Sequence, residues 1–281
     1  MTGAEDDRKM PLLQHLVELR SRLLWSVIGF ILAFLVCFYF AQPIFDFLAA
    51  PLAKALKENQ VSDQQVLRVI YTDVTEVFFT QVKVAAFGAF CVAFPIIATQ
   101  IWLFVAPGLY KHEKNAFLPF LIATPIMFFV GASFMFEVIL PLALKFFLHY
   151  QRAGGDGTLS VQLEAKVGEY ISLIMRLIIA FGACFELPVL LTLLAKVGIV
   201  SSDALKRKRR YAIVFVFIAA AIVTPPDVLS QVSLAVPLLI LYEASIWLAV
   251  LVEKKRAKTD LENASKDKDG DDSSGGAVTP S

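Results

Sequence analysis

Six long apolar runs, each set apart from the next by a polar stretch, dominate this sequence and leave it little freedom of fold. They cover residues 24–41, 77–104, 116–147, 169–194, 211–224 and 228–252. A helix of roughly 20 mostly apolar residues crosses a hydrocarbon core about 30 Å thick. Composition agrees: the chain is 57% hydrophobic and 18% charged, where a soluble domain is about 45–50% apolar and about 25% charged. Its mean hydropathy is +0.67, and its 24 phenylalanines suit helices that face lipid. The expected fold class is an all-α polytopic membrane protein with six transmembrane helices. No internal repeat divides it into matching halves.

Several functions are unsupported by what the chain carries. The first apolar run follows a charged, amphipathic lead and ends without a small-residue cleavage pattern, so it reads as a retained span and not a signal peptide. Cys37, Cys91 and Cys184 each stand alone in an apolar run. They form no CxxC or Cys/His ligand spacing, and they read as small packing residues. No nucleotide loop, nucleophile–base arrangement or metal cluster is present, so neither an enzyme nor a cofactor is expected. A formal charge of +1 gives no reason to expect a nucleic-acid partner.

The basic residues fix the expected orientation. With both termini in the cytoplasm, 18 of the 26 lysines and arginines fall on the inner side and 6 on the outer side. That asymmetry points to an N-in, C-in topology. The other two, Lys83 and Arg176, lie inside spans. The run Lys206–Arg210 resembles an anionic-lipid or nucleic-acid patch when isolated, but it directly precedes a span and reads as a topology anchor.

The fifth span is short: 14 residues, Tyr211 to Thr224, before the TPPD sequence, or roughly 21 Å of helix. Such a helix thins the bilayer or shelters among its neighbours. The sixth holds Ser230, Gln231, Pro237 and Glu243 and is also poorly suited to facing lipid, so a bundle with short fifth and sixth spans is expected. Prolines at 95, 119, 125, 141, 188 and 237 bend helices, which points to a concave bundle. Three regions follow: a cytoplasmic N-terminus with an interfacial amphipathic helix (1–23), a six-helix membrane domain (24–256) and a disordered cytoplasmic tail (257–281).

Candidate site residues are the acids in unusual places. Before the first span, Leu12, Leu16, Leu19 and Leu23 share one helical face, and His15, Glu18 and Arg22 share another. This reads as a helix in the headgroup region with its polar stripe towards the cytoplasm. Glu18 either pairs with Arg22 one turn on or is free for a ligand. Glu113 sits between Lys111 and Lys114 just after Pro107–Gly108, either as a solvated turn residue or as a second ligand-binding acid. Two carboxylates there could hold a basic ligand, and a guanidinium fits them better than an ammonium because its planar fork matches two oxygens. Lys83, Glu137, Arg176, Glu186 and Glu243 lie within spans, where ionisable groups face protein or a wet cavity. Glu186 reads either as a neutral packing residue or as a polar anchor for a partner's transmembrane helix.

HLVELRSRL (15–23), AAPL (49–52), FP with QIWLFVAPGLYKHEK (94–114), FELPVL (185–190), KRRY (208–211), TPPDVLSQ (224–231) and LYE (241–243) together resemble the TatC family. That family is the multispanning subunit of the twin-arginine protein translocase, and the likeness runs in order from about Leu12 to Arg256. The resemblance implies a receptor for twin-arginine signal peptides, working in the export of folded proteins driven by the proton-motive force. It implies a multi-pass protein of the bacterial cytoplasmic membrane that assembles with single-span TatA and TatB, with other copies of itself and with membrane lipid. Carried over by motif, Glu18 and Glu113 form the site for the two arginines, with Leu19 and Phe104 beside them. Glu186, with Gln231 and Glu243 as further polar positions, serves the intramembrane contact with partner helices. Pro51 and Asp227 match outer-face positions. Lys114 stands where an arginine more often follows the acid; the charge is kept.

A different class of function also has support in the residues. Glu186 and Glu243 could serve a proton-coupled secondary transporter, since short, proline-interrupted spans mark such sites. The missing inverted repeat counts against it. A purely structural membrane scaffold is the third reading, and would leave the inner-face acids without an export phenotype.

Overall fold

The computed structural model describes residues 6–58, 75–109, 118–148, 166–223 and 228–272, and among these the regular structure is helical. Five helical segments are long and apolar enough to cross a membrane: Leu16–Tyr39, Glu76–Phe104, Leu118–Leu148, Val167–Val197 and Gln231–Lys258. They coincide with five of the six runs. The fifth run forms a helix of 15 residues, α9 (Arg209–Val223), about 22 Å long.

α1 (Asp6–Tyr39) is a single helix of 34 residues. The amphipathic lead and the first span are therefore continuous. No proline or paired glycine occurs between Leu12 and Tyr39, so nothing bends the ladder there. Leu16, Leu19 and Leu23 are exposed on this helix, whereas Arg22 reaches a neighbouring helix. In lipid Leu16, Leu19 and Leu23 look outward, and Arg22 turns towards α3.

The first loop holds an element that the apolar runs do not reveal. α2 (Ala41–Glu58) buries Ala41, Leu48, Leu52 and Ala55, a spacing that returns to one helical face. Phe47 of α2 stacks on Phe136 at 4.6 Å between ring centres. α3 (Glu76–Leu109) then runs back antiparallel to α1. Ala33 and Cys37 of α1 are buried with Ala89 and Ala93 of α3, side chains small enough for close approach. Cys91 and Cys184 are half-buried and free, as packing residues are.

The third span is built from α4 (Leu118–Phe134), a π turn (Met135–Ile139) and α5 (Leu140–Leu148). The π turn precedes Pro141, which has no N–H to continue the ordinary ladder. The fourth is α6 (Val167–Phe185) and α7 (Leu187–Val197), broken at Glu186 with Pro188 in the first turn of α7. Gly131 of α4 and Gly182 of α6 bring these helices together. A Cβ on Gly131 would lie 2.8 Å from the Phe181 carbonyl oxygen and 2.7 Å from the Phe185 ring; one on Gly182 would lie 2.5 Å from the Phe128 ring. Each glycine thus accommodates a phenylalanine of the other helix.

After the short α8 (Ser202–Arg207) and α9 comes α10 (Val228–Asp272), 45 residues long. This corrects two expectations. The sixth span is not short, and residues 257–272 continue its helix. Within this segment Glu262 and Lys266 stand four apart, a stabilising helical spacing. Residues 273–281 lie outside the described residues.

Candidate functional site

Three side chains on one short stretch of α3 organise the site. Gln100, Trp102 and Phe104 belong to the apolar run that precedes Pro107. The Arg22 guanidinium donates from one nitrogen to Gln100 Oε1 at 3.3 Å and from another to Glu18 Oε1 at 3.3 Å. Glu18 is therefore paired with Arg22 one turn on, and both side chains are about one-third exposed. Gln100 completes the arrangement by fixing Arg22 to α3. Leu19, next to Glu18 in sequence, is exposed, and Phe104 is half-buried.

Two residues further along α3, the indole N–H of buried Trp102 donates to Thr124 Oγ1 of α4 at 2.7 Å. A buried indole N–H needs such an acceptor. The Thr124 hydroxyl keeps its own proton for a second partner, and the Glu186 carboxylate faces it, with the Phe128 backbone alongside. Both Glu186 oxygens are shut off from solvent, and neither completes a well-formed hydrogen bond among the described residues. The break between α6 and α7 places this acid at the interface. Gln100 and Trp102 of α3 thus reach the partners of two candidate acids, Arg22 for Glu18 and Thr124 for Glu186.

The remaining candidates are more dispersed. Glu243 lies at the same end of the bundle, where its carboxylate accepts from Arg209 at 2.7 Å with both side chains half-exposed. Its ion-pair partner among the described residues is Arg209, not Glu186. Gln231 donates to the Phe217 carbonyl at 3.0 Å and ties α10 to α9. Pro51 sits partly buried inside α2. Glu113 and Asp227 lie outside the described residues.

Further contacts lock the end that carries Arg22, Lys196 and the Lys206–Arg210 run, called here the basic end. Glu253 of α10 accepts from the Ser202 backbone N–H at 2.7 Å and from its hydroxyl at 2.5 Å. Arg256 donates to the Lys196 carbonyl at 3.4 Å. Its guanidinium lies where a side chain on Gly198 would have to go, and Gly198 takes φ +86°. Only glycine adopts that backbone freely and leaves that space.

Among the described residues no group of three or more His, Cys, Asp or Glu could hold a metal ion. Gln100, Trp102 and Thr124 were not singled out by sequence. Their signal was present all the same: an amide, an indole N–H and a hydroxyl within apolar runs each need a partner.

The helical spans define a polytopic helical membrane protein. Residues 14–237 match the family described as Sec-independent protein translocase protein (TatC). The TatC of Magnetococcus marinus is 46% identical over 252 residues, covering 90% of this chain and 88% of its own length. The TatC of Escherichia coli K12 is 38% identical over 237 residues, covering 84% and 87%. A crystal structure of the twin-arginine translocase receptor TatC superposes with a TM-score of 0.72 at 40% identity, covering 85% of this chain and 99% of that one. The chain belongs to the TatC family, and it is a component of the Sec-independent machinery that moves proteins across a membrane.

Proposed function

We propose that this protein is the receptor for twin-arginine signal peptides in its translocase, with both termini in the cytoplasm and six spans in a bacterial cytoplasmic membrane. Glu18 and Glu113 take the two signal arginines, and Leu19 and Phe104 flank them. The observation that carries this reading is that the Glu18 carboxylate already holds a guanidinium, that of Arg22, beside an amide on α3. At 3.3 Å the pair is longer than the roughly 2.7–2.9 Å of a tight charge-assisted bond. Its partial exposure leaves it accessible to an incoming arginine, for which Arg22 is an internal placeholder.

Glu186 then serves the partner helices, TatB or TatA, by accepting a polar group that completes its vacant hydrogen bonds. The short α9 and the Gln231 contact fix the neighbouring face for them, and copies of this chain assemble around it. Pro51 and Asp227 shape the outer surface. Transport itself draws on the proton-motive force. A photo-crosslinker in a twin-arginine signal peptide, one residue beyond the arginine pair, tests the receptor reading in inverted membrane vesicles. Glu18→Gln and Glu113→Gln are each expected to lower the adduct about tenfold, the loss of roughly one charge-assisted contact. Undiminished crosslinking in both variants would refute it.

A further inference from the structure

Lys83 and Arg176 are the two basic residues left inside spans by the topology count, and the fold brings them to one place. They line a cleft of about 500 Å³ between α3 and α6, together with Glu76, Thr80, Glu169 and Ser172. Both side chains are exposed. Neither has a hydrogen-bond or ion-pair partner among the described residues. Two unpartnered like charges sharing one cleft in an apolar span call for an anion between them.

The order of charges along the cleft identifies what kind of anion. α3 and α6 start at the same end of the bundle, where Glu76 Oε1 accepts from the Gly168 backbone N–H at 3.1 Å. On α3 an acid, Glu76, stands seven residues before a base, Lys83; on α6 the acid Glu169 stands seven before the base Arg176. Each helix therefore puts a carboxylate at the rim and a cation about 10 Å further in along the axis. Helical side chains lean towards the N-terminus, so both cations reach back towards the headgroup level. The positive ends of the two helix dipoles point the same way. Exposed Phe78 and Phe79 continue the α3 surface beside the cleft, an apolar wall for acyl chains.

We infer that this cleft binds the headgroup of an amine-bearing phospholipid, with the phosphate between Lys83 and Arg176 and the ammonium at the Glu76 and Glu169 rim. A phosphodiester suits a guanidinium and an ammonium together. A primary ammonium lying outside the phosphate matches acids lying outside the bases. Glu169 is shared with Lys166 at 3.5 Å and its side chain is 78% exposed; a carboxylate has lone pairs for further donors. A headgroup without an amine leaves the spare lone pairs of the rim acids unused, and a quaternary amine offers them no N–H.

The test is native mass spectrometry of the full chain in detergent, titrated separately with dioleoyl phosphatidylethanolamine, phosphatidylcholine, phosphatidylglycerol and inorganic phosphate. Phosphatidylethanolamine is expected to be retained at least about fivefold better than the other two lipids, the net worth of about one ordinary hydrogen bond. Lys83→Gln with Arg176→Gln removes that advantage, and Lys83→Arg keeps it. Glu169→Gln, at an exposed position that leaves folding intact, narrows the gap between the ethanolamine and glycerol lipids. Equal retention by wild type and the double variant would overturn the proposal, as would a glycerol-lipid preference or a melting shift with inorganic phosphate alone. A photo-crosslinker replacing Phe79 is expected to capture lipid; capture of a protein helix instead would assign the cleft to a partner and refute the lipid.

Discussion

The contact between α4 and α6 and the contacts made by Gln100–Phe104 of α3 lie side by side yet are made by opposite means. In the first, Gly131 and Gly182 admit Phe185 and Phe128 at distances that leave no room for a Cβ, and Phe94 stacks on Phe128 at 3.8 Å between ring centres. In the second, Arg22, Gln100, Trp102 and Thr124 meet through single polar contacts, and two acids keep binding capacity to spare. Packing of the first kind has one arrangement and resists change. Polar contacts of the second kind can exchange partners at small net cost, because a new hydrogen bond replaces an old one. The pairing of a fixed clasp with an exchangeable chain suits the receptor role proposed for Glu18.

Breaking the clasp has the largest expected effect. Gly182→Val forces the Phe128 ring out of its place, and overpacking of this kind costs about 1–3 kcal/mol or more. A lower midpoint of thermal unfolding in detergent is the expected outcome; an unchanged midpoint would show that α4 and α6 are not tightly held. Thr124→Val keeps the shape and removes the acceptor of the Trp102 N–H. A buried donor left unpaired costs about 1–3 kcal/mol, so the midpoint falls by less, and the adduct between a partner helix and this face is expected to weaken as Glu186 loses its neighbour.

Much of this was legible in the sequence. The spans 77–104, 116–147 and 169–194 are long and predominantly apolar, and each exceeds the roughly 20 residues that cross a bilayer core. The acids Glu18 and Glu186 stood out because a charge beside or within an apolar run needs a reason. α2 was hidden because Pro51 and the charges at Asp46, Lys54 and Lys57 mark it as loop, although Ala41, Leu48, Leu52 and Ala55 share a face. The continuation of α10 was hidden because low hydrophobicity describes an exposed helix as well as a disordered tail. The meeting of Lys83 with Arg176, and of Trp102 with Thr124, depends on how two helices are offset along their axes. No single run carries that offset.

Smaller effects sharpen the contrast. Gln231→Leu removes the donor to the Phe217 carbonyl and is expected to cost about 1 kcal/mol, seen as a slight drop in the unfolding midpoint. If the drop matched that of Gly182→Val, the hairpin of α9 and α10 would belong to the rigid clasp instead. Glu18→Gln breaks a partly exposed pair spaced four apart, worth about 0.3–0.5 kcal/mol, so stability is expected to stay almost unchanged while ligand binding suffers.

That separation of stability from binding is best measured with the ligand itself. Fluorescence anisotropy of a labelled signal peptide on the purified full chain compares a twin-arginine sequence with its twin-lysine counterpart, on wild type and on Glu18→Gln. The expected result is a preference of about tenfold or more for the arginines in wild type, largely lost in Glu18→Gln at an unchanged unfolding midpoint. Equal binding of the two peptides to wild type, or a preference that survives in Glu18→Gln, would contradict the assignment of Glu18 as a guanidinium site.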